Sequence, residues 1–182
     1  MSVAAETERL RLRTWREADK DALEQYCNTE AVMRLLGGVQ SREKIDAAYD
    51  RITRCQAENG FCFWIVERIE DGAFLGFCGL KRASDCAPHI ADEVEIGWRL
   101  REDAWGRGYA REAASAALDL AFTRFDAPRV VALTVIENSP SWGLMERLGM
   151  ARRPDWDFED PAYPPDLNPT IVYAIEADQW KA

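Results

Sequence analysis

The chain has 182 residues, 47% of them hydrophobic and 30% charged, with a formal net charge of −9. That length suits one domain spanning residues 1–182 with a sizeable core, and the composition is ordinary for a soluble globular protein. The acidic balance, the lack of any apolar run of roughly 18 residues, and an N-terminus without a basic and then apolar segment argue against a nucleic-acid partner, a membrane span and a secretory leader.

In chain order, Leu10 and Leu12 alternate with Arg9, Arg11 and Arg13, so Thr7 to Trp15 reads as a half-buried strand. Thr14 with Glu17 three residues on is a candidate capping box for a helix reaching about Cys27. A short helix from Thr29 to Leu36 ends at Gly37-Gly38. Ser41 opens a third, with Ile45, Ala48, Tyr49 and Ile52 on one face and Asn59-Gly60 closing it. Phe61 to Ile69 and Phe74 to Lys81 read as strands joined by a hairpin turn at Glu70-Asp71-Gly72. A central strand, about Ile90 to Leu100, leads into an alanine-rich helix ending near Arg124. Arg129 to Ile136 is a buried, β-branched strand. Ser139 to Leu148 is a short helix stopped by Gly149. Pro154 to Pro169 is irregular and acidic, and Thr170 to Ile175 is a last strand. The central strand, its helix and the next strand make a βαβ unit, so those two strands should be parallel, adjacent and right-handed.

Five cysteines (27, 55, 62, 78 and 86), an odd number with no Cys-x-x-Cys, fit reduced thiols in a cytoplasm. His89 is the sole histidine. Although Cys86 is near it in sequence, Pro88 intervenes, which counts against a Cys–His nucleophile. One histidine and scattered thiols do not make a tetrahedral metal set either, so no metal is expected.

The stretch from Val94 to Glu112 is the most informative. After the strand comes Trp105-Gly-Arg-Gly-Tyr-Ala-Arg-Glu112, and then Ala110, Ala113, Ala114, Ala117, Leu118, Ala121, Phe122 and Phe125 at helical spacing. A helix start presents unpaired N–H groups and the positive end of its dipole. Gly106 and Gly108 remove side chains that would screen those amides, which makes a candidate phosphate cradle. Arg99, Arg101, Arg107 and Arg111 reverse the local sign of an acidic chain, as an anionic ligand would require. The alternative is a turn merely shaped by its glycines. A P-loop is excluded because no Gly-Lys pair exists, and a dinucleotide fingerprint fits poorly because Arg111 stands where a third small residue belongs. A nucleotide-dependent oxidoreductase is therefore remote.

Trp105-x-x-Gly108-x-Ala110 resembles the Gln/Arg-x-x-Gly-x-Gly/Ala acyl-CoA loop of the GNAT N-acetyltransferase superfamily. The longer run Glu95-Ile-Gly-Trp98 … Trp105-Gly-Arg-Gly-Tyr-Ala-Arg-Glu-Ala113 looks like its ribosomal-protein N-terminal (alanine/serine) branch. Trp105 departs from the usual Gln/Arg, a small departure because the cradle uses backbone amides. The resemblance covers about Arg9 to Glu176. It implies an α+β (mixed α/β) fold in which a mixed, mostly antiparallel twisted sheet is flanked by helices. Its central parallel pair splays apart to admit the pantetheine arm of acetyl-CoA, the co-substrate.

Acetyl transfer to an amine needs a neutral amine, a donor for the tetrahedral oxyanion and a way out for the thiolate. Backbone groups of Trp98, Arg99 and Leu100 would meet the pantetheine amides, as a peptide adds to a sheet edge. Gly106, Arg107, Gly108, Tyr109, Ala110 and Arg111 would hold the diphosphate. Glu93 and Glu95 share a strand face, and either carboxylate could serve as base; Glu95 matches the branch pattern, and the competing reading is that both are solvated partners of arginines. Asn138-Ser-Pro-Ser141 reads as a helix start capped by Ser139 or Asn138 with Pro140 at its first position. In the resembling family the asparagine holds pantetheine, which carries over to Asn138. Met145 occupies the place of the usual general-acid tyrosine and cannot donate a proton; Ser141 would act instead, or the thiolate leaves unassisted. The acidic segment Pro154–Pro169, with Asp155, Asp157, Glu159, Asp160, Tyr163 and Asp166, is either a cover over a cationic acceptor or a semi-rigid connector.

Two functions follow. One is an acetyl-CoA-dependent N-acetyltransferase acting on a peptide N-terminus or a small amine, by direct attack in a ternary complex, as a monomer or homodimer. The other is a non-catalytic acyl-CoA-binding module, which Met145 keeps open. Turnover against binding alone, across a panel of amines, separates them.

Overall fold

The computed structural model describes residues 2–83, 87 and 89–181. The chain forms β1 (Val3–Glu6), β2 (Leu10–Arg13), α1 (Asp19–Cys27), α2 (Glu30–Met33), α3 (Arg42–Asn59), β3 (Phe63–Arg68), β4 (Phe74–Arg82), β5 (Val94–Leu100), α4 (Tyr109–Thr123), β6 (Arg129–Val135), α5 (Ser139–Arg147), β7 (Ala151–Arg152) and β8 (Thr170–Glu176). Among the described residues these strands make one sheet in the order β1-β2-β3-β4-β5-β6-β8-β7. Only β5 and β6 run parallel, so the sheet is mixed and mostly antiparallel, as expected.

Local chemistry explains most boundaries. The Thr29 side chain accepts from Val32 N at the start of α2, and that of Ser41 accepts from Lys44 N at the start of α3. Gly60, at φ +76°, closes α3 in the left-handed conformation. The capping box at Thr14 does not form. Thr14 Oγ1 accepts from Ser2 N at 3.0 Å, binding the start of β1, while Asp19 Oδ2 accepts from Arg16 N at 2.6 Å and α1 begins later. Two strands beyond the sequence reading are β1 and the two-residue β7; both owe their place to ladder bonds with β2 and β8 rather than to their own pattern. The central strand begins at Val94, not Ile90, and Cys86 and Pro88 lie outside the described residues.

The two faces of the sheet differ. On one, the alanines of α4 (Ala113, Ala114, Ala117 and Ala121) are fully buried and let the helix settle close on Val94, Ile96, Leu100, Val130 and Ala132. The other face carries two separate apolar clusters. Trp15, Leu23, Cys27, Ile45, Ile52, Ile65 and Phe77 join α1 and α3 to β3 and β4. Val131, Val172, Ala174 and Phe158 lie under the segment between β7 and β8. Between the clusters runs β5, whose residues on this face are Glu95, Gly97 and Arg99.

Arg13 anchors α1 to the sheet. Its guanidinium donates to both Asp19 oxygens at 2.8 Å and to Glu67 Oε2 at 2.7 Å, and all three side chains are at least 90% buried. Removing the cation leaves the buried Asp19 without its ionic partner and Glu67 with Arg11 alone, and breaking a buried pair in this way typically costs about 3–5 kcal/mol. Arg13→Leu should lower stability by about that much in urea unfolding with an unchanged denaturant slope.

Candidate active site

β5 and β6 pair only at Val94↔Val130, Glu95↔Val131 and Ile96↔Ala132. Beyond that point β5 continues to Leu100 along β4, and β6 continues to Val135 along β8. Each strand therefore keeps its outer partner and loses its inner one, so from Gly97 to Leu100 the side of β5 turned away from β4 faces a gap with no strand to pair with. The expected parting of the central pair is present. Trp98 lies half-buried at this gap on the α4 side, while Leu100 is buried in the core.

The β5–α4 loop stands beside the gap. Gly106 and Gly108 adopt φ +70° and +80°, a region in which L side chains are strained. Among the described residues, no backbone acceptor is taken by the amides of Gly106 to Arg111; the first bond of the helix start runs from Glu112 N to the Gly108 carbonyl. The cradle is braced from outside. Arg9 Nη1 donates to the Arg107 carbonyl at 3.1 Å, Arg9 Nε donates to Glu112 Oε2 at 2.7 Å, and the Arg9 guanidinium lies 4.6 Å from the Tyr109 ring centroid. Burial pushes the Glu112 carboxyl up, but Thr7 and Arg9 outweigh it and hold the group below its ordinary pKa. Trp105 Nε1 donates to the Leu100 carbonyl at 2.9 Å, tying the loop to the end of β5.

The four arginines of this stretch do not converge. Arg107 on the loop and Arg111 in the first turn of α4 have no ion pair among the described residues. Arg101 pairs with Asp103 and lies 3.9 Å from the Tyr26 ring centroid. Arg99 projects to the opposite face, 5.2 Å from the Phe77 ring centroid.

Across the gap, Asn138 is the residue before α5, and Pro140 lies in its first turn as expected. The Asn138 carboxamide makes no capping bond; the main-chain carbonyl accepts from Ser141 N and Trp142 N instead. Helix capping thus does not account for an asparagine here. Ser141 is half-buried, and Met145 is buried in the core at 1% exposure.

On the other face, Glu95 pairs with Lys81 across β4 and β5. Burial raises its pKa, Lys81 opposes the rise, and Asp160 adds to it. Glu93 lies outside β5 and is held by Arg129 at 3.2 Å, apart from the Glu95–Lys81 pair. Gly97 faces Gly79, and a Cβ on Gly97 would stand 3.0 Å from Phe63 Cε1, so the phenyl ring lies over Gly97, between Glu95 and Arg99. The acidic segment brings Asp160 and Tyr163 within electrostatic reach of this strip. Asn168 Nδ2 donates to the carbonyls of Asp160, Tyr163 and Pro164, and its Oδ1 accepts from Asp160 N at 2.8 Å. Tyr163 lies near Gly37 and within electrostatic reach of Glu95, Arg99 and Asp160; its burial raises the pKa of its hydroxyl. Past Arg99 a depression of about 420 Å³ is lined by Tyr26, Thr29, Arg101 and Asp103 among others.

The family model described as an acetyltransferase (GNAT) domain matches residues 9–151. The chain belongs to the GNAT acetyltransferase family. An uncharacterised N-acetyltransferase of Bacillus licheniformis is 30% identical over 152 residues, 80% of this chain and 81% of that one. The crystal structure of an acetyltransferase from Agrobacterium tumefaciens superposes with a TM-score of 0.81 at 27% identity, covering 97% of this chain and 95% of that chain. The ribosomal-protein-S5-alanine acetyltransferase of Vibrio fischeri has a TM-score of 0.76 at 16% identity with all of both chains covered, a likeness of fold. As a GNAT acetyltransferase, the chain has acetyl-CoA as the co-substrate its family uses.

Sequence reading missed Arg9, Lys81, Phe63 and Asn168. Their signals are single residues far from the motif, brought in by pairing across strands or by one loop's internal bonds. The raised Glu95 pKa has a thermodynamic consequence. A carboxyl raised in the folded state contributes stability that is full below its unfolded pKa, about 4.3, and is lost as pH rises through the folded value. Glu95→Gln should therefore melt no lower than the parent at neutral pH, and its melting temperature should depend less on pH above pH 4, as read by thermal scans.

Proposed function

We propose that this chain transfers the acetyl group of acetyl-CoA to a primary amine by direct attack in a ternary complex. The observation that carries the reading is the loss of β5–β6 pairing after Ile96↔Ala132, beside an unpaired helix start. Backbone groups of Trp98, Arg99 and Leu100 would pair with the amides of the pantetheine arm. The amides from Gly106 to Arg111, aided by the side chains of Arg107 and Arg111, would hold the diphosphate. The carboxamide of Asn138, which does not cap α5, would reach the same arm.

The acceptor amine would lie over the Phe63 ring, under the cover formed by residues 154–169. Glu95, raised by burial, takes the amine proton directly or through a water. The nitrogen then forms a bond to the acetyl carbon, a backbone N–H near Trp98 donates to the oxyanion, and the carbon–sulfur bond breaks. The thiolate takes a proton from Ser141 or leaves unassisted, since Met145 has none to give. Likeness of the central motif to the ribosomal N-terminal branch favours a peptide N-terminus, and the short strip between Glu95 and Arg99 favours a small amine.

The buried Met145 supports a second reading, an acyl-CoA-binding module without turnover. Release of free thiol from acetyl-CoA in the presence of an amine panel decides between them. Acetyl-CoA-dependent turnover is expected, with kcat reduced about 100-fold in Glu95→Gln. Binding of CoA without turnover for any amine would favour the module, and no binding of CoA would end both.

A further inference from the structure

Among the described residues the side chain of Arg99 has no ionic partner. Its Nε is buried with no hydrogen-bond acceptor, and among the described residues no carboxylate forms an ion pair with it. Its surroundings are the Phe77 ring, the Cys27 thiol and the Tyr163 hydroxyl, none of which carries a charge to match it. A guanidinium removed from water without an anion is costly. Other arginines on this sheet are paired: Arg13 with Asp19 and Glu67, Arg101 with Asp103, and Arg129 with Glu93 and Glu176. Arg82 of β4 gives Nη1 to the Asp92 carbonyl instead; Arg99, buried at Nε, has neither kind of partner among the described residues, and it lies in the strip that holds Glu95.

The strip has an order. Glu95, Gly97 and Arg99 are alternate residues on one face of β5, so the Cα atoms of Glu95 and Arg99 are about 13 Å apart along the strand. The phenyl ring of Phe63 fills the interval, and Lys81 neutralises Glu95 from β4. One end can accept a proton from an amine, the middle is apolar, and the other end offers an unused planar fork of donors. That fork matches a carboxylate in two parallel hydrogen bonds.

We infer that Arg99 binds a carboxylate carried by the acceptor itself, so that the acceptor is a small, amino-acid-like amine and not a polyamine or an amide-linked peptide N-terminus. This deepens, and rests on, the acetyl-transfer reading above. The anion of the acceptor supplies what Arg99 lacks, and an amine without one leaves the guanidinium unpaired. Arg99 thereby acts as a specificity residue for the acceptor.

The test uses ligands that cannot be acetylated again. N-acetyl-glycine, N-acetyl-leucine and N-acetyl-glutamate, each against its carboxamide, are titrated calorimetrically into the CoA-saturated protein, with inorganic phosphate as a further probe. At least one carboxylate is expected to bind tenfold or more tighter than its amide. That preference should collapse in Arg99→Gln and weaken in Arg99→Lys, which keeps the charge but loses the fork. If Arg99→Gln does not fold, as judged by its melting curve, the wild-type comparison and Arg99→Lys carry the test. Equal binding of acid and amide, no binding of any acid, tighter binding of phosphate, or a preference that survives Arg99→Gln or Arg99→Lys unchanged would overturn the inference. Thiol release is measured alongside with leucine, leucinamide, spermidine and a peptide. Turnover that ignores the carboxylate overturns this inference and leaves acetyl transfer standing. If CoA does not bind, acetyl transfer fails, and the titrations are read on the protein alone.

Discussion

The structure depends on one interruption in its hydrogen bonding. Three residue pairs hold β5 to β6, and then the strands part while each stays bonded to its outer neighbour. An unpaired edge inside a sheet is costly unless something completes it. Here the opening is kept by what surrounds it. The alanine face of α4 draws close beneath β4 and β5, and α5 begins at the far lip with an asparagine that does not cap its own helix. The rest of the fold keeps that opening in register with a helix start.

The two faces of β5 then serve different ends. Toward α4 the strand offers Val94, Ile96 and Leu100 to a continuous core. Away from α4 the apolar surface is split into two clusters, and the seam between them contains charge, glycine and an aromatic ring. A seam of this kind contributes little to folding, and Glu95 and Arg99 both bear a burial penalty there. Residues that cost stability and lie together in a cleft are where chemistry is best sought.

Much of this was readable from the sequence. Periodicity in Ala110 to Phe125, the helix start at Ser41, and β-branched residues from Arg129 to Val135 placed the main elements because each is decided locally. The glycine loop was readable because its φ values demand glycine. What was hidden depended on distance in space. Thr14 looks like a cap, yet its hydroxyl is taken by Ser2 across a strand pair. Glu93 and Glu95 look equivalent two residues apart, yet β5 begins between them, and Arg129 and Lys81 claim one each. The arginines from 99 to 111 look like one patch, but strand alternation sends Arg99 to the opposite face from the cradle. No local pattern distinguishes Asn168 as the residue that organises the acidic segment.

That asparagine sets the character of the covering segment. A single side chain gathers three carbonyls and one amide, so the segment holds its shape through internal bonds. A roof already shaped before its guest arrives needs little ordering on contact, and it also yields little to accommodate a guest of the wrong outline. Over the proposed acceptor site such a segment would act as a mould: selectivity would be set in advance by shape and charge, and a change of guest would require recasting this one loop while the sheet beneath stays as it is.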